Sequence, residues 1–289
     1  MKEIVKEKIA SLLSGDEEIQ SVEQLGGMTN QNYLVQTSSN QYIVKFFGKG
    51  TEKLIDRQNE KFNLELLKDL KLDVENYLFD IDAGIKVNQY IENAETLDST
   101  TIKTKFEKIA PILQTIHASG KELKGEFAPF EEIKKYESLI QGEISYPNYE
   151  VVRKSVFSLK DQLEEIGMDK KSCHIDLVPE NFIEGPDGHL YLIDWEYSSM
   201  NDPMWDLAAL FLESEFTSAE EEDFLSHYES DKTPVSRDKI RIYKILQDII
   251  WSLWTIYKEE NGADFGDYGI SRYNRAVKEL DCEGDLDEN

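Results

Sequence analysis

His174-Ile-Asp176-Leu-Val-Pro-Glu-Asn181 and the following Leu190-Tyr-Leu-Ile-Asp194-Trp-Glu196 form the stretch of this sequence that decides the fold. Between them, two short apolar runs lie on either side of Gly185-Pro-Asp-Gly188, which is a typical turn sequence. A hairpin folded at that turn brings its open ends together, so Asn181 and Asp194 are predicted to lie side by side. An amide and a carboxylate placed in this way suit Mg²⁺, which takes few protein ligands besides phosphates and waters.

Asp176 lies just before this hairpin and is predicted to face the same space, as a candidate base. The spacing matches the H-x-D-x-x-x-x-N pattern of the kinase catalytic loop, with Asp194 in the place of the aspartate of D-F-G. The alternative is an ordinary surface loop, because 58 acidic residues make a chance D-x-x-x-x-N common. A chance match to the longer pattern, followed by an apolar strand that ends in Ile-Asp, is rare.

Size and charge restrict the classes of function. A chain of 289 residues is long enough for two lobes. The net charge of −26 argues against nucleic acid and anionic membrane surfaces as partners, and it suits a small cationic substrate. No apolar run reaches the length of a membrane span, and the first residues lack the apolar core of a signal peptide. Two distant cysteines, Cys173 and Cys282, fit a reducing cytoplasm, where we expect the protein. The oligomeric state stays open.

The N-terminal part of the sequence predicts a three-stranded antiparallel meander. Its strands are expected at 21–25, 32–37 and 42–47 and have high β propensity. In the third strand, alternation places Lys45 on one face together with Ile43 and Phe47. A lysine among apolar residues is either an edge residue with a snorkelling side chain or a phosphate-binding lysine, as in the V-A-I-K strand of kinases.

Residues 57–70 predict a helix that follows this meander. Glu60, Leu64 and Leu67 fall on one face of it. If that face packs on the sheet, Glu60 pairs with Lys45. Glu65 is the rival partner, and the remaining alternative is that both glutamates are solvated.

Gly26-Gly27 lies between the first two predicted strands. Two glycines allow close approach of the backbone to phosphates and offer amide donors. Thr29 and Asn30 can add side-chain donors. An ordinary hairpin turn explains the two glycines equally well.

Residues 85–91 predict another strand, which runs into a polar segment. We interpret this as the connection between two lobes, and the backbone of Gln89, Tyr90 and Ile91 as the partner of an adenine edge. Helical patterns dominate beyond it. The sequence therefore predicts an α+β fold with a small antiparallel β-sheet lobe that binds the nucleotide, residues 1–91, and a larger, mainly helical lobe that carries catalysis and substrate binding, residues 92–289.

Aromatic residues cluster in the predicted helical lobe. Trp251 and Trp254 share a face of a helix predicted at 240–258. The other candidates lie after the hairpin or after this helix and are Tyr197, Trp205 and Tyr268. Aromatic faces attract a quaternary ammonium by about 0.5–2 kcal/mol per ring, and Glu213 is a candidate carboxylate beside them. Tryptophans at helical spacing are also common in protein cores, and composition alone does not separate the two interpretations.

Taken together, the residues from Leu25-Gly-Gly-Met-Thr-Asn30 to Trp251 and Trp254 resemble the choline/ethanolamine kinases over nearly the whole chain. In detail they look like the bacterial choline kinases of lipopolysaccharide and teichoic-acid decoration. The wider superfamily includes the aminoglycoside phosphotransferases and has a two-lobed protein-kinase-like fold. The resemblance implies ATP and Mg²⁺ as cofactors and transfer of the γ-phosphoryl group to the choline hydroxyl.

The resemblance also implies a role for each matching residue. Asp176 would be the catalytic base, and the implied metal ligands are Asn181 and Asp194, with Glu196 near a second ion. Lys45 would contact the nucleotide phosphates, Glu60 would orient it, and Tyr197, Trp251 and Trp254 would line the choline pocket. Ile175 departs from the pattern, since many relatives carry Gly or Asn there. An aminoglycoside or other small-molecule phosphotransferase of the same fold is the nearest alternative, and an inactive nucleotide-binding protein is the second.

Overall fold

The computed structural model describes residues 2–9, 12–13, 17–27, 30–48 and 50–284, without the side chains at 2 and 281–284. The chain divides into two compact units. The first unit contains Met1–Asp98 and Pro179–Tyr197, and the second contains Ser99–Val178 and Ser198–Asn289. The segment Pro179–Tyr197 therefore groups with the first unit, although it lies within the predicted second lobe. The functional division at residues 91 and 92 stays a prediction.

The described residues form ten strands and nine helices. The strands are β1 (Ile19–Gln24), β2 (Gln31–Thr37), β3 (Gln41–Phe46), β4 (Asn76–Asp80), β5 (Ile85–Gln89), β6 (Glu95–Thr96), β7 (Lys171–Cys173), β8 (Phe182–Glu184), β9 (Leu190–Leu192) and β10 (Ser199–Asn201). The helices are α1 (Lys2–Ile9), α2 (Arg57–Leu67), α3 (Phe106–His117), α4 (Pro129–Leu139), α5 (Tyr149–Ile166), α6 (Pro203–Glu213), α7 (Ser218–Tyr228), α8 (Arg237–Glu260) and α9 (Tyr268–Gly284). This mixture of helices and small antiparallel sheets confirms the predicted α+β class.

The main sheet of the first unit has five strands in the order β1-β2-β3-β5-β4. All of its pairings are antiparallel. The predicted meander forms β1 to β3, whereas β4 was not predicted. The register places Lys45 of β3 opposite Lys86 of β5. Because cross-strand partners point to the same face of a sheet, both lysine side chains lie on one face.

The opposite face of this sheet carries the core of the first unit. In β3, Tyr42 and Val44 are buried on that face, which agrees with the predicted alternation. They pack with Val5 and Ile9 of α1, and the other buried members of the cluster are Ile19, Tyr33, Val35, Ile85 and Val87. Because successive residues of a strand point to opposite faces, Val44 lies on the core face and the next residue, Lys45, lies on the other face.

Helix α2 begins where the sequence predicted. Its N-cap residue, Asp56, accepts hydrogen bonds from the backbone N–H groups of Gln58 and Asn59, which satisfies two donors of the first turn. The helix ends at Leu67, and the last predicted residues form a short 3₁₀ turn instead.

The predicted hairpin is present as β8 and β9. The N–H of Gly188 donates to the carbonyl of Gly185 at 2.9 Å, which closes the turn. At the open end, the N–H of Ile193 donates to the carbonyl of Asn181 at 2.8 Å. Asn181 therefore lies beside the residue that precedes Asp194, and β6 pairs with β8 to extend this small sheet to three strands.

In the second unit, α8 packs against α4, α5, α6 and α9. Ser236 caps its first turn by accepting from the N–H of Lys239. The helix predicted at 240–258 lies within α8. Strands β7 and β10 form an antiparallel pair. None of the helices that the structure describes combines the length and the apolar composition that a bilayer span requires.

Candidate active site

Lys45 and Asp194 meet in the first unit. The Nζ atom of Lys45 lies 2.5 Å from Oδ1 of Asp194, and only 5% of Lys45 is exposed. Asp194 has a φ of 66°, a left-handed conformation that short polar side chains tolerate, and it directly follows the hairpin. The lysine predicted to bind phosphate and the aspartate predicted to bind metal therefore form one ion pair.

Glu60 has other partners than predicted. Its carboxylate accepts hydrogen bonds from Arg57 Nη1 and from Lys86 Nζ, each at 2.6 Å. The predicted pair between Glu60 and Lys45 is wrong, because Lys45 pairs with Asp194 and the neighbouring Lys86 reaches α2 instead. Burial alone would raise the pKa of Glu60, but Lys86 and Arg57 hold that pKa below its usual range.

Lys86 was missed by the sequence analysis. Its side chain is 2% exposed, and its Nζ also lies 5.6 Å from the centroid of the Phe79 ring. Burial alone would lower its pKa, but Glu60 and Asp194 raise it above the usual lysine range. The signal was present, because Ile85-Lys-Val87 is an apolar strand with a central lysine, as around Lys45.

Glu196 is held by a cluster of polar side chains in the first unit. Its Oε2 accepts from Arg57 Nη1 at 2.9 Å and from Asn30 Nδ2 at 2.7 Å. Asn30 Oδ1 in turn accepts from Arg57 Nη2 at 2.9 Å. Burial and the nearby Asp194 raise the pKa of Glu196. Asn30, predicted to be a phosphate donor, thus directs its amide to a protein carboxylate, and Arg57 was missed by the sequence analysis.

The predicted phosphate loop contains two glycines with different requirements. Gly27 has a φ of 154°, and a Cβ atom there would lie 2.6 Å from the carbonyl oxygen of Asn30. A Cβ atom at Gly26 would meet no atom within 4 Å. Gly27 alone therefore needs to be glycine for local steric reasons. Thr29 lies outside the described residues, and the nucleotide role of the whole loop stays a prediction.

The segment predicted to bind adenine is tied to its own neighbours. The N–H of Gln89 donates to the carbonyl of Glu75 at 2.8 Å, and the carbonyl of Ile91 accepts from Ala94 at 3.3 Å. Tyr90 and Ile91 are half-buried. The adenine role of Gln89, Tyr90 and Ile91 stays a prediction.

In the second unit, Asp206 anchors the loop that carries Asp176. Its carboxylate is fully buried and accepts from the N–H groups of His174 and Ile175, both at 2.8 Å. Ile175 has a φ of 77°, which is rare for a β-branched residue. Glycine and asparagine adopt this conformation more readily than isoleucine does. The Asp206 bonds hold Ile175 in this conformation, so they fix the backbone that leads into Asp176.

Three buried side chains of the second unit, His117, Cys173 and Asp206, are of types that can bind a metal ion. Ligand atoms of His117, Cys173 and Asp206 lie within 4.8 Å of one another. His117 already contacts Tyr228 Oη at 2.7 Å and Asp206 Oδ2 at 3.0 Å, and both Asp206 oxygens bind backbone N–H groups. The cluster is therefore explained by internal hydrogen bonds. Burial raises the pKa of the Cys173 thiol, so Cys173 is an inert core residue.

Trp205 does not have the predicted position. It is 0% exposed, and its ring centroid lies 4.9 Å from that of Phe127 and 5.8 Å from that of Tyr243. Its Nε1 donates to the carbonyl of Ile175 at 3.0 Å. A fully enclosed ring cannot line a substrate pocket, so Trp205 is a core residue that also supports the Asp176 loop.

The other predicted aromatic residues are less enclosed. Trp251 is 9% exposed and Trp254 is 6% exposed. The Trp254 ring lies 5.0 Å from that of Phe265, which lies 6.4 Å from the half-buried Tyr268. Phe265 was missed, since it falls in the polar segment after α8. These three rings form a group in the second unit. Tyr197 belongs to the first unit, where it is half-buried in the 3₁₀ turn Trp195–Tyr197.

Glu213 pairs with a protein cation. Its Oε1 accepts a hydrogen bond from Arg272 Nη2, and Arg272 Nη1 lies 3.1 Å from Asp248 Oδ1. The Arg272 guanidinium also lies 4.7 Å from the centroid of the Tyr268 ring. The predicted carboxylate is therefore close to a predicted aromatic wall, and an arginine occupies the position between them. Glu213 as a ligand for the substrate ammonium stays a prediction.

The profile of the choline/ethanolamine kinase family matches residues 22–240, which is most of the chain. The chain belongs to this family. Protein LicA of Haemophilus influenzae is 32% identical over 269 residues, which cover 89% of this chain and 79% of that protein.

Two solved structures of the family are similar to this chain over nearly its whole length. The crystal structure of choline kinase LicA from Streptococcus pneumoniae is 77% identical to this chain, with a TM-score of 0.94, and the match covers 98% of this chain and 99% of the other. The structure of LicA in complex with AMP is 78% identical, with a TM-score of 0.92 and coverage of 97% and 98%. The predicted kinase-like fold is thereby confirmed.

Proposed function

We propose that this protein is a choline kinase, which transfers the γ-phosphoryl group of ATP to the hydroxyl group of choline. The observation that carries the proposal is the contact of 2.5 Å between Lys45 Nζ and Asp194 Oδ1. It joins a strand lysine of the phosphate-binding type to an aspartate of the metal-binding type, as the catalytic motifs of this superfamily require.

The donor set fits a nucleotide with its divalent cation. Asp194, Glu196 and Asn181 offer carboxylate and amide oxygens, the donors that Mg²⁺ prefers. Mg²⁺, when bound, neutralises the charge of the phosphates. Lys45 is almost fully buried, so its attraction to a phosphate oxygen is little screened by solvent.

Asp176 accepts the proton of the choline hydroxyl in the proposed reaction. The hydroxyl oxygen forms a bond to the γ-phosphorus, the bond from that phosphorus to the bridging oxygen of ADP breaks, and the hydroxyl proton passes to the carboxylate. Phosphoryl transfer needs mainly positioning and charge stabilisation from the protein. The two Asp206 bonds at 2.8 Å support such positioning, because they fix the backbone immediately before Asp176.

The aromatic group of the second unit supports choline as the substrate. A quaternary ammonium offers no hydrogen-bond donor, so it is recognised by aromatic faces and by charge. Trp254, Phe265 and Tyr268 supply three neighbouring rings, and the carboxylate of Glu213 is paired with Arg272, whose guanidinium lies 4.7 Å from the centroid of the Tyr268 ring. We further propose that the reaction takes place in the cytoplasm. The use of phosphocholine for bacterial surface glycans stays an expectation from the resemblance.

The proposal is tested by incubating the protein with radiolabelled ATP and, separately, choline, ethanolamine or an aminoglycoside. Labelled phosphocholine is the expected main product. In the Asp176→Asn variant, loss of the base should lower kcat by about 10²–10⁴-fold while the affinity for ATP stays within about two-fold. Asp161→Asn changes an exposed aspartate of α5 and serves as the matched control.

Two results would contradict the proposal. Preferential phosphorylation of the aminoglycoside would assign the protein to a different branch of the superfamily. Absence of ATP consumption with all three acceptors would indicate a nucleotide-binding protein without kinase activity.

A further inference from the structure

Arg57 occupies an unusual position for a cation. It is the first residue of α2, where the positive end of the helix dipole disfavours a positive charge. It is also only 8% exposed, so it has lost most of its hydration. Its guanidinium lies 4.1 Å from the centroid of the Phe47 ring, which contributes a cation–π contact. Such a placement is costly unless anionic partners compensate for it.

Two glutamates and one amide provide this compensation. Arg57 Nη1 donates to Glu60 Oε2 at 2.6 Å and to Glu196 Oε2 at 2.9 Å, while Nη2 donates to Asn30 Oδ1 at 2.9 Å. Although burial would lower the pKa of Arg57, Glu196 and Glu60 raise it, so the guanidinium is charged at every physiological pH. Arg57 thereby links α2 to the segment that contains Glu196.

Lys86 affects how the positive charge of Arg57 is divided between Glu60 and Glu196. Glu60 Oε1 is bound by Lys86 Nζ at 2.6 Å, so Glu60 already has a cation of its own. Lys86, Glu60, Arg57 and Glu196 form a row of alternating charges, all 8% exposed or less. Because Lys86 balances Glu60, the positive charge of Arg57 is left to balance Glu196.

The two carboxylate oxygens of Glu196 differ in their hydrogen bonds. Arg57 Nη1 and Asn30 Nδ2 both donate to Oε2, at 2.9 and 2.7 Å. Among the residues that the structure describes, Oε1 accepts no hydrogen bond from the protein. A carboxylate with one oxygen fixed by two donors has little freedom to rotate, so the direction of its second oxygen is fixed as well. Neighbours that fix a ligand in this way commonly change metal affinity by about 10–100-fold when they are removed.

We propose that Arg57 is a positioning residue for Glu196. By holding Oε2, together with Asn30, it presents Oε1 to the divalent cation that accompanies the nucleotide, and Lys86 keeps Arg57 available by neutralising Glu60. This inference rests on the proposed function for the identity of the reaction, but its central claim concerns metal binding and can be measured without catalysis.

The test measures Mn²⁺ binding in the presence of ADP, by the electron paramagnetic resonance signal of free Mn²⁺. In Arg57→Met the dissociation constant for Mn²⁺ should rise by about 10–100-fold. Arg57→Lys keeps the charge but loses the forked geometry, so its value should lie between those of Arg57→Met and the unchanged protein. In steady-state assays, the Mn²⁺ concentration for half-maximal rate should rise in parallel, while the KM for choline stays within about two-fold.

Arg153→Met is the matched control. Arg153 donates to Glu137 at 2.5 and 2.9 Å and lies 4.4 Å from the Phe157 ring, so it has the same types of contact outside the site. Its Mn²⁺ affinity should not change. If Arg57→Met binds Mn²⁺ as the unchanged protein does, or if both Met variants lose affinity equally, the proposal is overturned.

Two further outcomes stay interpretable. If Arg57→Met gives no folded protein, the Mn²⁺ affinity of Arg57→Lys tests the proposal instead. If an Arg57 variant has a lower melting temperature but binds Mn²⁺ as the unchanged protein does, Arg57 has a structural role only. If the unchanged protein forms no phosphocholine, the proposed function fails, while the Mn²⁺ measurement still tests the position of Glu196.

Discussion

Replacing Asp206 with Asn should disable the Asp176 loop without removing any group from the reaction itself. In the structure, each Asp206 oxygen accepts one backbone N–H, from His174 and Ile175, at 2.8 Å. Hydrogen bonds to a charged, buried group contribute about 1.5–3 kcal/mol each, so the two together contribute about 3–6 kcal/mol. The positive φ of Ile175, 77°, costs about 1–2 kcal/mol. The two bonds therefore outweigh the strain.

The balance is reversed in the Asn variant. Asparagine offers one acceptor oxygen, and its NH₂ group would face a backbone N–H. One neutral bond of about 0.5–1.5 kcal/mol remains, and an unsatisfied buried donor costs about 1–3 kcal/mol. The remaining bond no longer exceeds the strain at Ile175, so the loop should relax and displace Asp176. A displacement of about 1 Å costs on the order of 10²-fold in rate.

The assay follows phosphocholine formation at saturating ATP and choline, together with ADP binding by calorimetry and the melting temperature. Asp206→Asn should lower kcat by about 10²-fold and leave ADP affinity within about two-fold. Asp238→Asn removes an exposed aspartate from the first turn of α8, as Asp206 lies in the first turn of α6, and should keep full activity. A variant at Asp206 with kcat within about two-fold of the unchanged protein would refute the reasoning, whatever its melting temperature.

Two further predictions concern the first unit. Gly27→Ala should weaken ATP binding, because the added Cβ would lie 2.6 Å from the Asn30 carbonyl oxygen. Gly26→Ala is the control and should bind ATP normally, since a Cβ there would meet no atom within 4 Å. Equal ATP dissociation constants of the two variants in calorimetry would contradict the prediction. Burial raises the pKa of Asp73 from 3.8 to about 7. Folded Asp73 thus holds its proton more tightly than the unfolded chain, so its stabilising contribution is present below pH 3.8 and is lost as the pH rises through about 7. Asp73→Asn should therefore raise the melting temperature relative to the unchanged protein more at pH 8 than at pH 5, and a difference that does not depend on pH would contradict the assignment.

The features that the sequence predicted correctly depend on local signals. The β1–β3 meander follows from strand propensity and turn residues, and the β8–β9 hairpin from Gly185-Pro-Asp-Gly188 between two apolar runs. The proximity of Asn181 to the residue before Asp194 then follows from hairpin geometry alone. In each case the contacts join residues that are close in sequence, so no knowledge of distant pairing is needed.

The features that were missed or wrong depend on distant pairing. The partner of Glu60 could not be chosen correctly, because only the register between β3 and β5 shows that Lys86 lies beside Lys45. Trp205 was assigned to the substrate pocket, since its position after the hairpin says nothing about how deeply α6 is buried. The link from Arg57 to Glu196 spans 139 residues and no periodicity in the sequence encodes it. The predicted roles of the site residues themselves stay predictions.

The left-handed conformation of Ile175 also has a consequence for how this segment can vary. Glycine at that position would relieve the strain but would remove a fully buried side chain from the interior. Isoleucine is therefore tolerated only while a carboxylate at position 206 binds the adjoining peptide groups. We expect the dependence to run in one direction: lineages that lose the acid at position 206 should also replace the isoleucine, whereas glycine or asparagine at position 175 is compatible with the acid.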